Sequence, residues 1–216
     1  LSKQFVKKNM FGSKISLVKA VEDVTFSLYN DEVLVIAGES GSGKSTIAKL
    51  ILRAITPDSG KIIFRGEEIS DSPESMMKIR MDCQMIHQDP YDSINPRMKV
   101  KDIVSEPLEI HNISDGSERK NIVLDALREV KLEPPEDIAN KYPHMLSGGQ
   151  RQRVVLARAL VLRPKIIIAD EPVSMLDVSI RAEILDLMKN IQKKNNISFI
   201  YITHDLATAR YFGQRI

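Results

Sequence analysis

A glycine-rich stretch near the start of the chain, GESGSGKST at residues 38–46, constrains the possible folds most strongly. It follows VLVIA (33–37), a continuous apolar run typical of a buried parallel strand, and runs into STIAKLILRA (45–54), which has the composition of a helix. Its glycines, lysine and serine have the spacing G-x-x-x-x-G-K-[ST] of a loop that wraps phosphate groups. Strand, loop and helix in this order predict an α/β fold with a site for a nucleoside triphosphate.

The residues of this loop divide the chemistry of polyphosphate binding among them. Glycines free backbone N–H groups to surround the phosphates, and the helix N-terminus adds positive potential. We expect Lys44 to reach the β- and γ-phosphates, Ser45 to help hold Mg²⁺ and Thr46 to contact the α-phosphate. A plain glycine–serine turn is the alternative, but it leaves the flanking strand and helix unexplained. The predicted loop residues are Gly38, Glu39, Ser40, Gly41, Ser42, Gly43, Lys44, Ser45 and Thr46.

The composition narrows the class of protein. At 216 residues with 43% hydrophobic side chains, the chain can form one substantial core. Its 31 basic and 29 acidic residues leave a net charge of +2, which gives no reason to expect a nucleic-acid partner. The single cysteine, Cys83, cannot form an internal disulfide and agrees with a reducing compartment. No apolar stretch approaches the roughly 18 residues of a membrane span, so we expect any role at a membrane to be exercised from outside the lipid.

The pattern along the chain places a helical block between two regions of strand and helix. Loose alternation over the first thirty residues, clearest at Val21, Val24, Phe26 and Leu28, and the run KIIF (61–64) predict short strands before the block. From about residue 90 to 160, helical spacing replaces the strand pattern and is broken by prolines. The strand pattern returns in KIIIAD (165–170) and ISFIYI (197–202), with an amphipathic helix between them. This order predicts a mostly parallel sheet with a helical insertion.

Polar residues follow three further apolar runs, where the carboxyl ends of parallel strands would meet beside the phosphate loop. Asp170 and Glu171 end the run KIIIADE; we expect Asp170 to bind Mg²⁺ and Glu171 to act as general base toward an attacking water. His204 could hydrogen-bond a γ-phosphate, and Gln88 could bind Mg²⁺ or water. The alternatives are a charged turn for the two acids and a structural or solvated role for the histidine.

A second glycine-rich stretch, LSGGQ at 146–150, begins a long apolar and basic run. With the phosphate loop before it and IIIADEP after it, this stretch resembles the signature of the nucleotide-binding subunits of ABC transporters, and the resemblance covers essentially the whole chain. In that family two ATPase domains meet head to tail, and the signature of one presses on ATP held by the other. The resemblance implies that a side chain on either glycine would hinder this close approach. The residues carried over are Ser147, Gly148, Gly149 and Gln150.

The same resemblance assigns roles to residues outside the two glycine-rich stretches. It implies that Gln88 senses both the nucleotide and a transmembrane partner, and that Asp177 lies near the opposing nucleotide site. It also implies that His204 is the switch histidine of the family. The implied catalytic groups are then Lys44, Glu171 and His204.

Several of these assignments have alternatives that the sequence leaves open. An aromatic ring stacks on adenine in the family; Phe5 is the candidate here and Phe11 the alternative, and either could instead be a packing residue. Arg151 and Arg153 could add positive potential at the signature, hold the helical block, or be solvated. The double glycine itself could be a hinge before a surface helix, which would leave its spacing to the other motifs as coincidence.

Within the ABC family, the segments HQDPYDSINPRM, YPHMLSGGQRQRV and ADEPVSMLDVSIRAEIL resemble the ATPases of oligopeptide and dipeptide permeases, a group that also contains nickel importers. Three residues depart from the group's pattern: His87 replaces a phenylalanine, Met145 a glutamate and Met175 an alanine. None of them removes a phosphate, metal or base group. The chain stops at FGQRI, where members of the group continue, so we expect a chain truncated soon after the switch histidine.

The resemblance implies a fold, an activity and a set of partners. The fold is a P-loop NTPase of the RecA-like type: α/β, with a mostly parallel sheet, an N-terminal antiparallel β subdomain and an inserted α-helical subdomain. Within a single domain, the expected core is 1–88 with 161–216, and the expected helical subdomain is 89–160. The implied cofactors are ATP and Mg²⁺. The implied partners are a second ATPase subunit, identical or paralogous, transmembrane permease subunits and, indirectly, a solute-binding protein. We expect ATP hydrolysis at the cytoplasmic face of the membrane to drive uptake of oligopeptides or dipeptides.

Other functions share these motifs. Chromosome and DNA-repair ATPases would need a long coiled coil between Gln88 and Ser147, where only a short helical block lies. Ribosome-associated factors carry two such cassettes in one chain. A non-catalytic ATP-binding scaffold would not need the predicted lysine, acids and histidine, although an asymmetric heterodimer stays open. Import of another solute, such as nickel, also stays open, because the translocation path lies on other chains.

Overall fold

The computed structural model describes residues 1–8 and 14–216. Its strands are β1 (Lys3–Lys8), β2 (Lys14–Val21), β3 (Val33–Ala37), β4 (Ile63–Phe64), β5 (Glu67–Glu68), β6 (Cys83–Ile86), β7 (Ile166–Asp170) and β8 (Ser198–Thr203). Its helices are α1 (Lys44–Ile51), α2 (Pro73–Asp82), α3 (Pro90–Ser93), α4 (Val100–Ile110), α5 (Gly116–Glu129), α6 (Pro135–Ala139), α7 (Gly148–Leu160), α8 (Val178–Asn195) and α9 (Leu206–Phe212). Strands and helices alternate on either side of the helical stretch from α3 to α7, as the pattern predicted.

Parallel strands form the central sheet, which among the described residues has the order β3, β8, β7, β6. The hydrogen-bonded register places Ala37 beside Thr203 and Ile202 beside Asp170. The strands therefore end in line, and their carboxyl ends share one edge of the sheet. The parallel sheet predicted from the apolar runs is confirmed, with each run within one residue of a strand.

Both faces of the sheet are covered, which explains the continuous apolar runs. On one face Ile200 and Ile202 pack in a cluster with Leu50 of α1. On the other face Phe199 and Tyr201 join the core that α7, α8 and α9 contribute to, and both rings meet Phe212 edge to face at 5.3 and 5.1 Å. None of the helices within the described residues is both long and apolar enough to cross a membrane.

The segment before β3 differs from the prediction. The alternating pattern over 21–28 predicted a strand, but residues 22–28 have no strand pairing, and KIIF forms a strand only at its last two residues. Val24, Phe26 and Leu28 are half-buried and pack on the α1 face of the core. Alternate half-burial produces the same period of two as a strand. Val24 exchanges backbone hydrogen bonds with Leu1, but no strand forms over 24–28. The strand prediction for 24–28 is therefore wrong.

An ion pair at the start of β3 ties the end of the chain to the sheet. Nε and Nη2 of Arg215 donate to Oε1 and Oε2 of Glu32 at 2.6 and 3.0 Å, and the N–H of Tyr29 donates to Oε2 at 2.8 Å. The hydrogen bond from Arg215, more than any other contact, holds the pKa of Glu32 below its ordinary value. The carboxylate is thus favoured in the folded state.

We expect Glu32→Gln to remove a pH-dependent part of the stability. A carboxyl group whose folded pKa is lowered contributes its full stability above its unfolded pKa, at about pH 5 and higher, and loses it as the pH falls through the folded pKa. Urea unfolding of both proteins across this range should show a gap in the free energy of unfolding near neutral pH that shrinks on acidification. A gap that does not change with pH would contradict the assignment.

Candidate active site

Each strand of the parallel sheet leads into residues that the sequence predicted for the site. β3 runs into the phosphate loop at Gly38, and β8 into His204. Asp170 ends β7 with Glu171 directly after it, and Gln88 follows β6 by two residues. Loops at the carboxyl edge of a parallel sheet converge, which is where α/β proteins bind ligands.

The phosphate loop folds around its own lysine. Nζ of Lys44 donates to the carbonyl oxygens of Gly38 at 2.8 Å and Glu39 at 2.6 Å, and the lysine is only 7% exposed. The ammonium group therefore sits within the loop at the first turn of α1, where the helix N-terminus adds positive potential. Ser45 is exposed beside it, and Thr46 is half-buried. The remaining predicted loop residues are at the surface or half-buried: Gly38, Glu39, Ser40, Gly41, Ser42 and Gly43.

Two loop glycines have positive φ for different reasons. At Gly43 (φ 96°) an ideal Cβ would lie 2.0 Å from the carbonyl oxygen of Ala20, at the end of β2. At Gly41 (φ 80°) nothing lies within 4 Å of such a Cβ. Gly43 is therefore required both by its backbone conformation and by the close approach of the β1–β2 hairpin to the loop.

We expect Gly43→Ala to abolish binding of a nucleoside triphosphate, because the new methyl group collides with backbone that cannot move without displacing β2. Gly41→Ala is the matched control: it carries the same backbone penalty of about 1 kcal/mol but meets no neighbour, so it should cost roughly tenfold or less in affinity. Titration with a fluorescent ATP analogue measures both. Equal losses in the two variants would contradict the steric explanation.

Asp170 has the environment of a metal ligand. It is 7% exposed, and its carboxylate makes no hydrogen bond or ion pair with the part of the chain that the structure describes. A carboxylate this buried needs a cation or donors. Among the described residues no group of three or more His, Cys, Asp and Glu side chains could hold a metal alone. A single buried acid such as Asp170 fits Mg²⁺, which usually takes one or two protein carboxylates and completes its shell with phosphate oxygens and water.

Glu171 is the centre of a polar cluster formed from three strand ends. Its Oε2 lies 2.9 Å from Nδ1 of His204 and accepts a hydrogen bond from Nε2 of Gln88 at 3.3 Å. The side chain of Glu171 is 12% exposed and that of His204 is 56% exposed, so the cluster opens to solvent on the histidine side. The structure thus brings together three residues that lie 83 and 33 positions apart in the chain.

The backbone of Glu171 is held in an unusual conformation. Its φ is 48°, in the left-handed region that costs a residue with a side chain about 1 kcal/mol or more. Its N–H donates to the carbonyl of Ile202 at 2.9 Å, and its own carbonyl accepts from the hydroxyl of Ser174 at 2.9 Å. These contacts aim the carboxylate at the edge of the sheet. The sequence motif predicted the acid but not Ser174, which carries no chemical signal of its own.

The signature forms the first turn of α7. Ser147 is the N-cap: its hydroxyl accepts from the N–H of Gln150 at 3.2 Å, while its own N–H donates to Oε1 of Gln150 at 3.0 Å. This capping box satisfies two amides that the start of a helix would otherwise leave unpaired. Gly148 faces Leu176, in the loop before α8, and Gly149 faces Ile180, in the first turn of α8. Asp177, the N-cap residue of α8, is exposed and makes no side-chain cap. The described contacts join the signature to α8 rather than to the phosphate loop of the same chain.

The residues that the sequence left open have distinct positions. Phe5 lies within β1 opposite Val18 and is 42% exposed; Phe11 lies outside the described residues. Arg151 donates twice to the carbonyl of Leu146, at 3.0 and 2.9 Å. Arg153 donates to the carbonyl of Val130 at 3.1 Å. Arg153 also forms an ion pair with Glu183 of α8 at 3.3 Å. These contacts favour a role of the two arginines in holding the helical block and joining it to α8.

The fold and the site define the chain as a P-loop nucleotide-binding domain. The family described as ABC transporter matches residues 21–174. The oligopeptide transport ATP-binding protein AppF of Bacillus subtilis (strain 168) is 44% identical over 213 residues, which cover 98% of this chain and 64% of AppF. The oligopeptide transport ATP-binding protein OppF of the same organism is 44% identical over 212 residues, covering 97% and 69%.

A solved structure agrees with these sequence comparisons. The ATP-binding cassette MJ0796, as a dimer in a post-hydrolysis state bound to ADP and Pi, superposes with a TM-score of 0.81 at 31% identity, covering 99% of this chain and 89% of that one. This chain belongs to the ABC transporter family. It spans less than two thirds of the length of AppF, at 64%.

Proposed function

We propose that the chain is the ATP-hydrolysing subunit of an ABC importer for oligopeptides or dipeptides. The observation that carries the proposal is the cluster at Glu171, whose carboxylate lies within reach of His204 and Gln88 at the edge where the phosphate loop begins. Such a cluster suits a general base beside a transferred phosphoryl group. The ABC family match and the names of AppF and OppF support the same function.

The residues divide the reaction between them. The phosphate loop and Lys44 hold the β- and γ-phosphates, and Glu171 accepts a proton from the water that attacks the γ-phosphorus. His204 keeps Nε2 for a γ-phosphate oxygen while Nδ1 contacts Glu171. Mg²⁺, when bound by Asp170, Ser45 and Gln88, would neutralise charge that develops on the phosphate oxygens. The phosphoryl chemistry then depends mainly on positioning and electrostatics.

A second ATPase subunit, identical or paralogous, completes the proposed site head to tail. The capping box uses the amides of Ser147 and Gln150, which leaves those of Gly148 and Gly149 at the start of α7 for the nucleotide of a partner. Large apolar side chains are exposed around it: Met145 is 57% exposed, Met175 62% and Val178 80%. An apolar patch of this kind suits a protein interface. The dimeric structure of MJ0796 agrees with this arrangement.

The remaining partners follow from the same function. The subunit would act at the cytoplasmic face of the membrane, on separate transmembrane permease subunits that receive solute from a solute-binding protein. Gln88, between the site and the α3 segment, would sense the permease. The peptide solute rests on the relatives named for oligopeptide transport, and import of another solute such as nickel is the alternative.

We expect Glu171→Gln to stop ATP turnover, by a factor of about 100 or more, while ATP binding remains. The amide keeps the shape of the side chain but cannot accept the proton. The variant should accumulate an ATP-dependent dimer in size-exclusion chromatography, and the wild-type protein should not. Asp186→Asn, an exposed acid on α8, is the matched control and should turn over ATP normally. Wild-type turnover by Glu171→Gln would refute its role as general base.

We expect Phe5→Ala to weaken ATP binding only by the free energy of stacking the Phe5 ring on adenine. Phe5 pairs with Val18, two residues before Ala20, whose carbonyl meets the phosphate loop, and this proximity along β2 supports Phe5 as the ring that would stack on adenine. Loss of one base–aromatic stack costs about 1–3 kcal/mol, or roughly 5- to 150-fold in Kd. Phe5→Tyr should bind like the wild type, and Val6→Ala, on the other face of β1, is the control. Unchanged affinity in Phe5→Ala would show that Phe5 does not stack on the adenine.

A further inference from the structure

The double glycine of the signature rests on the start of α8 in its own chain. An ideal Cβ at Gly149 would lie 2.8 Å from Cγ2 of Ile180, a distance that real Cβ atoms essentially never show. At Gly148 the corresponding distance, to Cδ2 of Leu176, is an ordinary 3.5 Å. Ile180 is β-branched and lies in a helix, where its χ1 keeps largely to one rotamer, so Cγ2 cannot swing aside cheaply. The bare Cα of Gly149 therefore sets how closely α7 approaches α8.

Arg181, the next residue of α8, holds the loop that leads back to Glu171. Its Nε donates to the carbonyl of Leu176 at 2.7 Å, and its Nη2 donates to the carbonyl of Ser174 at 3.1 Å. The hydroxyl of Ser174 in turn donates to the carbonyl of Glu171. The planar guanidinium reaches the two carbonyls from two separate nitrogens held in a fixed geometry, whereas a lysine would have to reach both from one nitrogen. Arg181 therefore fixes the loop on which the left-handed backbone of Glu171 depends.

We propose that Gly149, Ile180 and Arg181 couple the signature to the candidate base of the same chain, with Arg181 as a positioning residue for Glu171. The inference rests on the proposed function, in which the signature binds a partner's ATP while Glu171 serves ATP on its own phosphate loop. Contact of the signature with the partner's nucleotide then sets the position of α8 and, through Arg181 and Ser174, the orientation of Glu171. Each site of the dimer thereby reports its occupancy to the other. Gly149 is a glycine because of this internal contact.

The contact between Gly149 and Ile180 can be tested by adding a methyl group at Gly149 and then removing Cγ2 of Ile180. Gly149→Ala should lower kcat for ATP by about 10- to 100-fold, the cost of a small misplacement of a catalytic group, with KM nearly unchanged. The double variant Gly149→Ala with Ile180→Ala makes room for the new methyl group and should recover to the kcat of Ile180→Ala alone. If Gly149 is needed only for approach to a partner's phosphate, the double variant stays as slow as Gly149→Ala, and that result overturns the proposal.

Arg181→Lys tests the second half of the coupling. It keeps the charge but loses the fork, so kcat should fall while KM and the melting temperature stay close to the wild type. Arg119→Lys is the matched control, since Arg119 donates to the carbonyl of Ser114 at 2.6 Å inside the helical block and does not contact the loop. Equal kcat values for the two lysine variants would overturn the positioning role. ATP turnover by the wild-type protein, and its loss in Glu171→Gln, test the proposed function independently of the Gly149 and Arg181 variants.

Discussion

The parallel pairing of β3, β8, β7 and β6 is the constraint on which the rest of the structure depends. Parallel hydrogen bonding with matched register makes the strands end together, so whatever follows each strand meets at one edge. Burial of both faces stabilises this arrangement, because every strand residue from Phe199 to Ile202 is enclosed. A phosphate loop, two acids, a histidine and a glutamine from distant parts of the chain thereby follow strands that end at one edge of the sheet.

Adjacent positions at this edge offer different environments to chemically similar groups. Asp170, the last residue of β7, has a buried carboxylate for which the described chain supplies no hydrogen bond or ion pair. Glu171, one residue later, turns through a left-handed backbone and shares its carboxylate with His204 and Gln88. A buried acid without donors suits a cation, and an acid that contacts a solvent-accessible histidine suits proton transfer. The division of roles that we propose follows from this one-residue change in geometry.

Local sequence patterns predicted the buried strands and the phosphate loop, because burial and backbone conformation leave a pattern in neighbouring residues. The apolar runs at β3, β7 and β8 are continuous because both faces are buried, and the phosphate loop has a fixed spacing of glycines, lysine and serine. The strand prediction for 24–28 was wrong because half-burial on one core face gives the same alternation as strand pairing. The contact of Gly149 with Ile180 could not be predicted, since the two residues are joined only by the packing of α7 on α8. The roles of Phe5 and Asp177 stay predictions, because both depend on groups outside the chain.

In the dimer that we propose, one ATP site takes its lysine from one chain and its signature glycines from another. Complementation tests it most directly, with Lys44→Ala, which keeps the signature, and Gly148→Asp, which keeps the phosphate loop but places a carboxylate at the signature. We predict that neither variant alone turns over ATP and that a mixture of the two does, because the mixed dimer contains one intact site. Wild-type turnover by Gly148→Asp alone would contradict the claim, and a silent mixture of folded variants would contradict the pairing of two identical chains.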